Sequence, residues 1–121
     1  MGQYSFLDVN VIKIYVEGIY NLFKEFNMEP MVTLTLQNEN VIASTIPILF
    51  DKTEPKEVAN AHTLYRSLLD FCLKIGVYPY RIPTVFQNEY LSKLNWENSL
   101  AFKLKSTVDP NNILAPNRYS K

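Results

Sequence analysis

VTLTLQNENVIASTIPILF, residues 32–50, is the stretch on which the fold class turns. Val32, Leu34 and Leu36 alternate with Thr33 and Thr35, the period of two that gives a strand one apolar face. The polar group Gln37, Asn38, Glu39 and Asn40 reads as a turn. Beyond it Ile42, Ser44, Ile46, Ile48 and Phe50 share one face of a second strand, so a hairpin is expected. Pro47 has no N–H to give to a ladder and must sit on an edge or at a bulge.

The flanks of this hairpin are helical in pattern. Upstream, residues 9–26 place Ile12, Tyr15, Val16, Ile19, Leu22, Phe23 and Phe26 on one stripe, with Asp8 positioned as the cap. Asn27 and Pro30 end that helix, and residues 3–7 allow a short strand before it. Downstream, Thr53, Glu54 and Pro55 carry the marks of a helix start. Val58, Ala61, Tyr65, Leu68, Cys72 and Ile75 recur at three- and four-residue spacing, and Gly76 supplies a left-handed residue to end the helix. Pro79 and Pro83 hold residues 77–83 extended, which predicts a short strand or an ordered loop. A last amphipathic helix is expected from Asn95 through Trp96, Leu100 and Leu104, with Lys103 and Lys105 near its negative end. Together these elements predict one α+β domain over residues 1–121, a two-layer, ferredoxin-like arrangement with helices on one face of a largely antiparallel sheet.

Charge and composition remove several classes of function. Twelve basic residues balance twelve acidic ones, so there is no basic field to attract nucleic acid. No apolar run approaches the roughly 20 residues of a membrane-spanning helix. Cys72 is the only cysteine and cannot close an internal disulfide, and no signal segment opens the chain, which favours a reducing, cytoplasmic setting. With three glycines and neither GxGxxG nor a Walker sequence, any dinucleotide must be held mainly by another domain or chain.

Two segments carry distinctive chemistry. Tyr80 and Arg81 put a phenol beside a guanidinium just after a helix end. Both can bind an oxyanion: arginine stays charged and donates in a planar fork, and a tyrosine hydroxyl donates to a phenolate oxygen. Neighbours on a regular strand face opposite ways, so a shared ligand requires irregular backbone, which the flanking Pro79 and Pro83 suggest. The plainer reading is a surface arginine lying along an aromatic ring. In the tail, Asp109 and Pro110 form a turn that Ile113 and Leu114 would pin to the domain.

Other polar residues read as structural. His62 lies inside the second helix as a core or solvated residue, and Cys72 as a small buried hydrophobe. Asp51, Glu54 and Glu57 read as helix-start charges, and no cluster supports a metal.

The tail DPNNILAPNR, residues 109–118, resembles the DPNGILAPGR signature at the C-terminal end of the vanillyl-alcohol oxidase and 4-cresol dehydrogenase family, and Tyr80 and Arg81 fall where that family has its Tyr-Arg pair. The resemblance extends more weakly back through the second helix and the hairpin. It implies the closing part of a cap or substrate domain, with FAD as cofactor, para-substituted phenols as substrates and hydride transfer to flavin as the reaction. Tyr80 and Arg81 would inherit phenolate binding and charge stabilisation, with Arg81 also near the flavin. A flavin-binding domain or subunit would be the necessary partner, since no such domain is present here and the chain is not expected to be active alone. Asn112 and Asn117 stand where the signature has glycine. The alternative is a stand-alone α+β binding or dimerisation module, its sheet pairing with a second copy.

Overall fold

The computed structural model describes residues 1–6 and 8–116. Contacts gather into two compact units, Met1–Arg81 and Ile82–Lys121.

In the first unit the chain order is β1 (Gly2–Phe6), α1 (Val9–Glu25), β2 (Thr33–Leu36), β3 (Val41–Thr45), α2 (Pro55–Lys74) and β4 (Tyr78–Arg81). The strands form one sheet in the order β2-β3-β1-β4, and all three pairings are antiparallel. This is the expected ferredoxin-like arrangement, with two helices over one sheet face.

Local chemistry explains the elements. The Asp8 carboxylate accepts from the backbone N–H groups of Asn10 at 2.8 Å and Val11 at 3.3 Å, satisfying orphan donors at the start of α1. Pro55 occupies the first turn of α2, and Gly76 follows its end at φ 75°, as left-handed backbone requires. Tyr15, Ile19 and Phe23 of α1 meet Leu64, Leu68 and Cys72 of α2, with Ile46 and Val77, in a closed apolar core. Each such large side chain contributes on the order of 1.5–3 kcal/mol by leaving water. Gly18 brings the helices close: a Cβ there would lie 2.0 Å from the tip of the Phe71 ring.

Two details of the hairpin differ from expectation. β3 ends at Thr45 instead of running to Phe50, so Pro47 falls outside the ladder and terminates it. Leu34 and Leu36 pair with Ser44 and Ile42 and share the helix-side face, yet both are exposed. β2 is an edge strand, and its helix-side face is left uncovered.

The second unit corrects the sequence reading more deeply. A helix that was not expected, α3 (Thr84–Lys93), precedes Asn95, and the helix expected from Asn95 is divided into a 3₁₀ turn at Trp96–Asn98 and α4 (Leu100–Val108). Asn95 is left-handed at φ 52°, which stops the chain from being helical there. Ser99 starts α4, its hydroxyl accepting from the Phe102 N–H at 3.1 Å. Leu100 and Leu104, expected on a buried face, are exposed. Phe86, Gln87, Tyr90 and Leu91 of α3 are the buried residues of this unit's helices.

Candidate functional site: the open face of the sheet

β1 divides its side chains between two environments. Gln3 points toward the helices and is fully buried. Its carboxamide accepts from the Tyr15 hydroxyl, which also lies 2.7 Å from the Ser44 hydroxyl, and donates to the Cys72 sulfur at 3.1 Å. Burial pushes the Cys72 thiol up to about 12, and burial likewise raises the Tyr15 phenol. Cys72 is therefore a protonated core residue. This polar cluster ties β1 to β3, α1 and α2, and its groups satisfy one another.

Gly2, Tyr4 and Phe6 occupy the opposite face of β1. Tyr78 pairs with Tyr4 and Pro79 with Gln3, but the next partner of β1, Gly2, stands opposite Arg81. Two steps along β4 thus match one step along β1, which makes Tyr80 the extra residue of a β-bulge. The ring of Tyr80 lies 4.8 Å from the Tyr4 ring at an interplanar angle of 31°. It also covers Gly2, so close that a Cβ on Gly2 would stand 2.5 Å from ring carbons and 2.6 Å from the hydroxyl oxygen. Arg81, opposite Gly2, shares this face because directly paired residues point the same way. The bulge therefore supplies the irregular backbone that a shared Tyr80–Arg81 ligand requires.

The resulting surface has a defined chemical character. Tyr4, Tyr78 and Tyr80 are each about half exposed, at 44%, 52% and 50%. Arg81 is exposed and is the only charged residue in the four strands. Phenol and guanidinium donors beside aromatic rings, with no carboxylate in the strands, suit a flat ligand carrying negative charge. β4 is an edge strand, which accommodates Pro79 without loss of a ladder bond.

Gly2 and Tyr4 were not singled out from the sequence. The alternation of Tyr4 and Phe6 with Gln3 and Ser5 is the signal that marks them, but their meeting with Tyr80 spans most of the unit.

The remaining candidates take structural places. His62 is half-buried within α2. The Asp51 carboxylate accepts from the Thr53 N–H at 2.8 Å and hydroxyl at 2.7 Å, while Glu57 accepts from the Asp51 N–H at 2.7 Å. Those bonds order the approach to α2 and, through Thr53, hold the Asp51 carboxyl below its usual range. Glu54 caps α2 without a side-chain bond. Among the described residues no group of three or more metal-ligating side chains forms, and no helix is long and apolar enough to cross a membrane.

In the tail, Asp109 is an organising carboxylate. It accepts from the ammonium of Lys105 and from the N–H groups of Ile113 at 2.9 Å and Leu114 at 3.0 Å. The hydrogen bond from Lys105 is the main reason its carboxyl lies below the usual range. Asn112 is left-handed at φ 50°, which accounts for the signature's glycine at that point. The expected apolar anchor is absent: Ile113 and Leu114 are 74% and 59% exposed, and the carboxylate holds the turn instead. Asn117 and Arg118 lie outside the described residues.

No family model matches the chain. It is 39% identical over 74 residues, 60% of its length, to the 4-cresol dehydrogenase (hydroxylating) flavoprotein subunit of Pseudomonas putida. Over 91 residues, 75% of its length, it is 26% identical to 1'-carboxy-chondrochloren decarboxylase of Chondromyces crocatus. The matches cover 14% and 17% of those proteins, so the chain spans only a small part of the length of the curated relatives it matches. This chain is homologous to a segment of the FAD-linked family of vanillyl-alcohol oxidase and 4-cresol dehydrogenase.

Proposed function

We propose that this chain is the closing segment of a substrate domain and forms the phenol-binding wall of an FAD-dependent oxidoreductase, acting with a flavin-binding domain or subunit. The reaction is hydride transfer from a para-substituted phenol to flavin. The observation that carries this reading is the bulge that turns Tyr80 and Arg81 to one open, aromatic face. The relative at 39% identity is a 4-cresol dehydrogenase subunit, which supports the phenolic substrate class.

The chain's own contribution is electrostatic. Arg81 provides a permanent positive charge and Tyr80 a hydroxyl donor, and both can be directed at one phenolate oxygen. Donors fixed before the reaction stabilise charge as it develops, without the reorganisation that water would need. The rings of Tyr4 and Tyr78 offer flat apolar surface to the substrate ring.

The described residues do not fit the nucleotide part of FAD. Gly2 lies in a strand, Gly18 inside α1, and Gly76 at the end of α2, so none lines a phosphate loop at a helix start. The flavin is assigned to the partner.

The test begins with the purified chain, FAD and 4-methylphenol. No turnover is expected until the flavin-binding partner is added, and turnover by the isolated chain overturns the dependence on a partner. In the reconstituted enzyme Arg81→Ala is expected to weaken 4-methylphenol binding by about tenfold or more, the worth of a charge-assisted hydrogen bond. Unchanged affinity removes Arg81 from the site.

The half-exposed aromatic face also favours a second reading, a module that pairs with another copy of itself through its sheet. Sedimentation separates the two. A concentration-dependent dimer with no affinity for a flavin domain supports the module.

A further inference from the structure

Tyr80 is the extra residue of a bulge on an edge strand, and its bulged position has no cross-strand partner. Such a residue has no ladder to fix its direction, and a tyrosine side chain there has two free torsions. What orients it comes from β1. The Tyr4 ring lies against the Tyr80 ring at 4.8 Å, and Gly2 leaves open the space that the hydroxyl end of Tyr80 fills.

We propose that Gly2 and Tyr4 are positioning residues for the Tyr80 phenol. Gly2 leaves room for the ring against the β1 backbone, and Tyr4 holds it there through a tilted ring contact. Because Gly2 is also the cross-strand partner of Arg81, this seating carries the hydroxyl to the strand position from which Arg81 projects. Cα atoms of directly opposed residues in an antiparallel pair are about 4.5–5.5 Å apart, close enough for one ligand oxygen to reach both groups. The site is thus assembled by four residues from two strands, although only the Tyr80–Arg81 dipeptide is conspicuous in the sequence. The ligand role of this arrangement rests on the phenol-binding reading above; the seating itself does not.

The overlap at Gly2 has an unusual consequence. The atoms a Cβ would strike belong to the far end of a flexible side chain, not to backbone. A methyl group there moves the Tyr80 ring aside at little expense to the fold, since alanine is the better strand residue in every other respect. Stability and site geometry should therefore separate.

The experiment is proton NMR of the full chain with labelled tyrosine, Tyr80 being assigned by its loss in Tyr80→Phe. In the wild type, cross-peaks are expected from the Tyr80 ring to the Gly2 α-protons and to the Tyr4 ring. Gly2→Ala should abolish the first set while the thermal midpoint stays within a few degrees. Tyr4→Ala should change the Tyr80 ring shifts, and Tyr4→Phe should restore them, because the ring and not the hydroxyl makes the contact. In the reconstituted enzyme Gly2→Ala and Tyr4→Ala should each raise the dissociation constant for 4-methylphenol about tenfold, with Tyr4→Phe near wild type. Absence of the wild-type cross-peaks, or Tyr80 shifts indifferent to both Gly2→Ala and Tyr4→Ala, overturns the seating whatever the phenol affinity. If the ring contacts behave as expected but the wild-type enzyme binds no phenol, the seating stands and the phenol reading falls.

Discussion

Gln3 and Tyr4 are consecutive residues of β1, yet they belong to faces built on opposite principles. On the helix side Gln3, Tyr15, Ser44 and Cys72 bond to one another and are shut away from water. On the open side Tyr4, Tyr80 and Arg81 are neighbours and all three are exposed. A buried polar group left unpaired is penalised, so the inner cluster must be complete within the chain. An exposed donor is hydrated at no penalty, so the outer cluster can wait for a ligand. The same strand thus carries both a closed network that specifies the fold and an open one available for binding.

The sharpest way to break this contrast is to strike the inner side alone. Phe23→Ala, at a fully buried position, should lower stability by about 3–5 kcal/mol through lost transfer energy and a cavity. Denaturant midpoints measure it. A loss under about 1 kcal/mol means the helix layer is not the closed core described.

Alkaline pH attacks the same side chemically. The folded Cys72 thiol titrates at about 12, against about 8.5 for a free thiol. The folded state binds that proton more tightly than the unfolded state does. Its stabilisation is therefore complete below about pH 8.5 and is lost as pH rises towards 12. The slope is at most about 1.4 kcal/mol per pH unit from this group, and the raised Tyr15 phenol adds to it at higher pH. Urea midpoints at pH 8 and pH 10.5 should show the decline, with part of it removed in Cys72→Ala. A level profile contradicts the closed inner face.

Tyr15→Phe is a gentler cut. It leaves the Gln3 carbonyl oxygen buried without its donor, for a loss of about 1–3 kcal/mol. Arg81→Ala, on the open side, should change folding stability by less than about 0.5 kcal/mol. If these two variants destabilise equally, the division between faces fails.

Much of the first unit was legible in the sequence because its signals are local. Asp8 before an apolar stripe, the polar turn at residues 37–40, Pro55 and Gly76 each act over a few residues. The helix α3 was not legible. Pro79 and Pro83 argue for extended chain, and the buried set of α3 includes Gln87 among Phe86, Tyr90 and Leu91, which blurs the apolar stripe. Leu34 and Leu36 have the alternation of a buried strand, but alternation fixes which face a residue takes and not whether anything covers that face. For the candidate site, the sequence singled out Tyr80 and Arg81 and pointed to irregular backbone. It did not reveal Gly2 and Tyr4, because the contact depends on β1 lying beside β4, a consequence of topology that no local pattern encodes.

The bulge also makes the site sensitive to counting. Removing the extra step in β4 without changing any other residue would put Tyr80 opposite Gly2 and carry Arg81 past it, to the side of the sheet that Gln3 faces. The guanidinium would then meet the helix layer instead of solvent. The bulge itself, two steps of β4 against one of β1, is what a redesign of this segment would have to preserve.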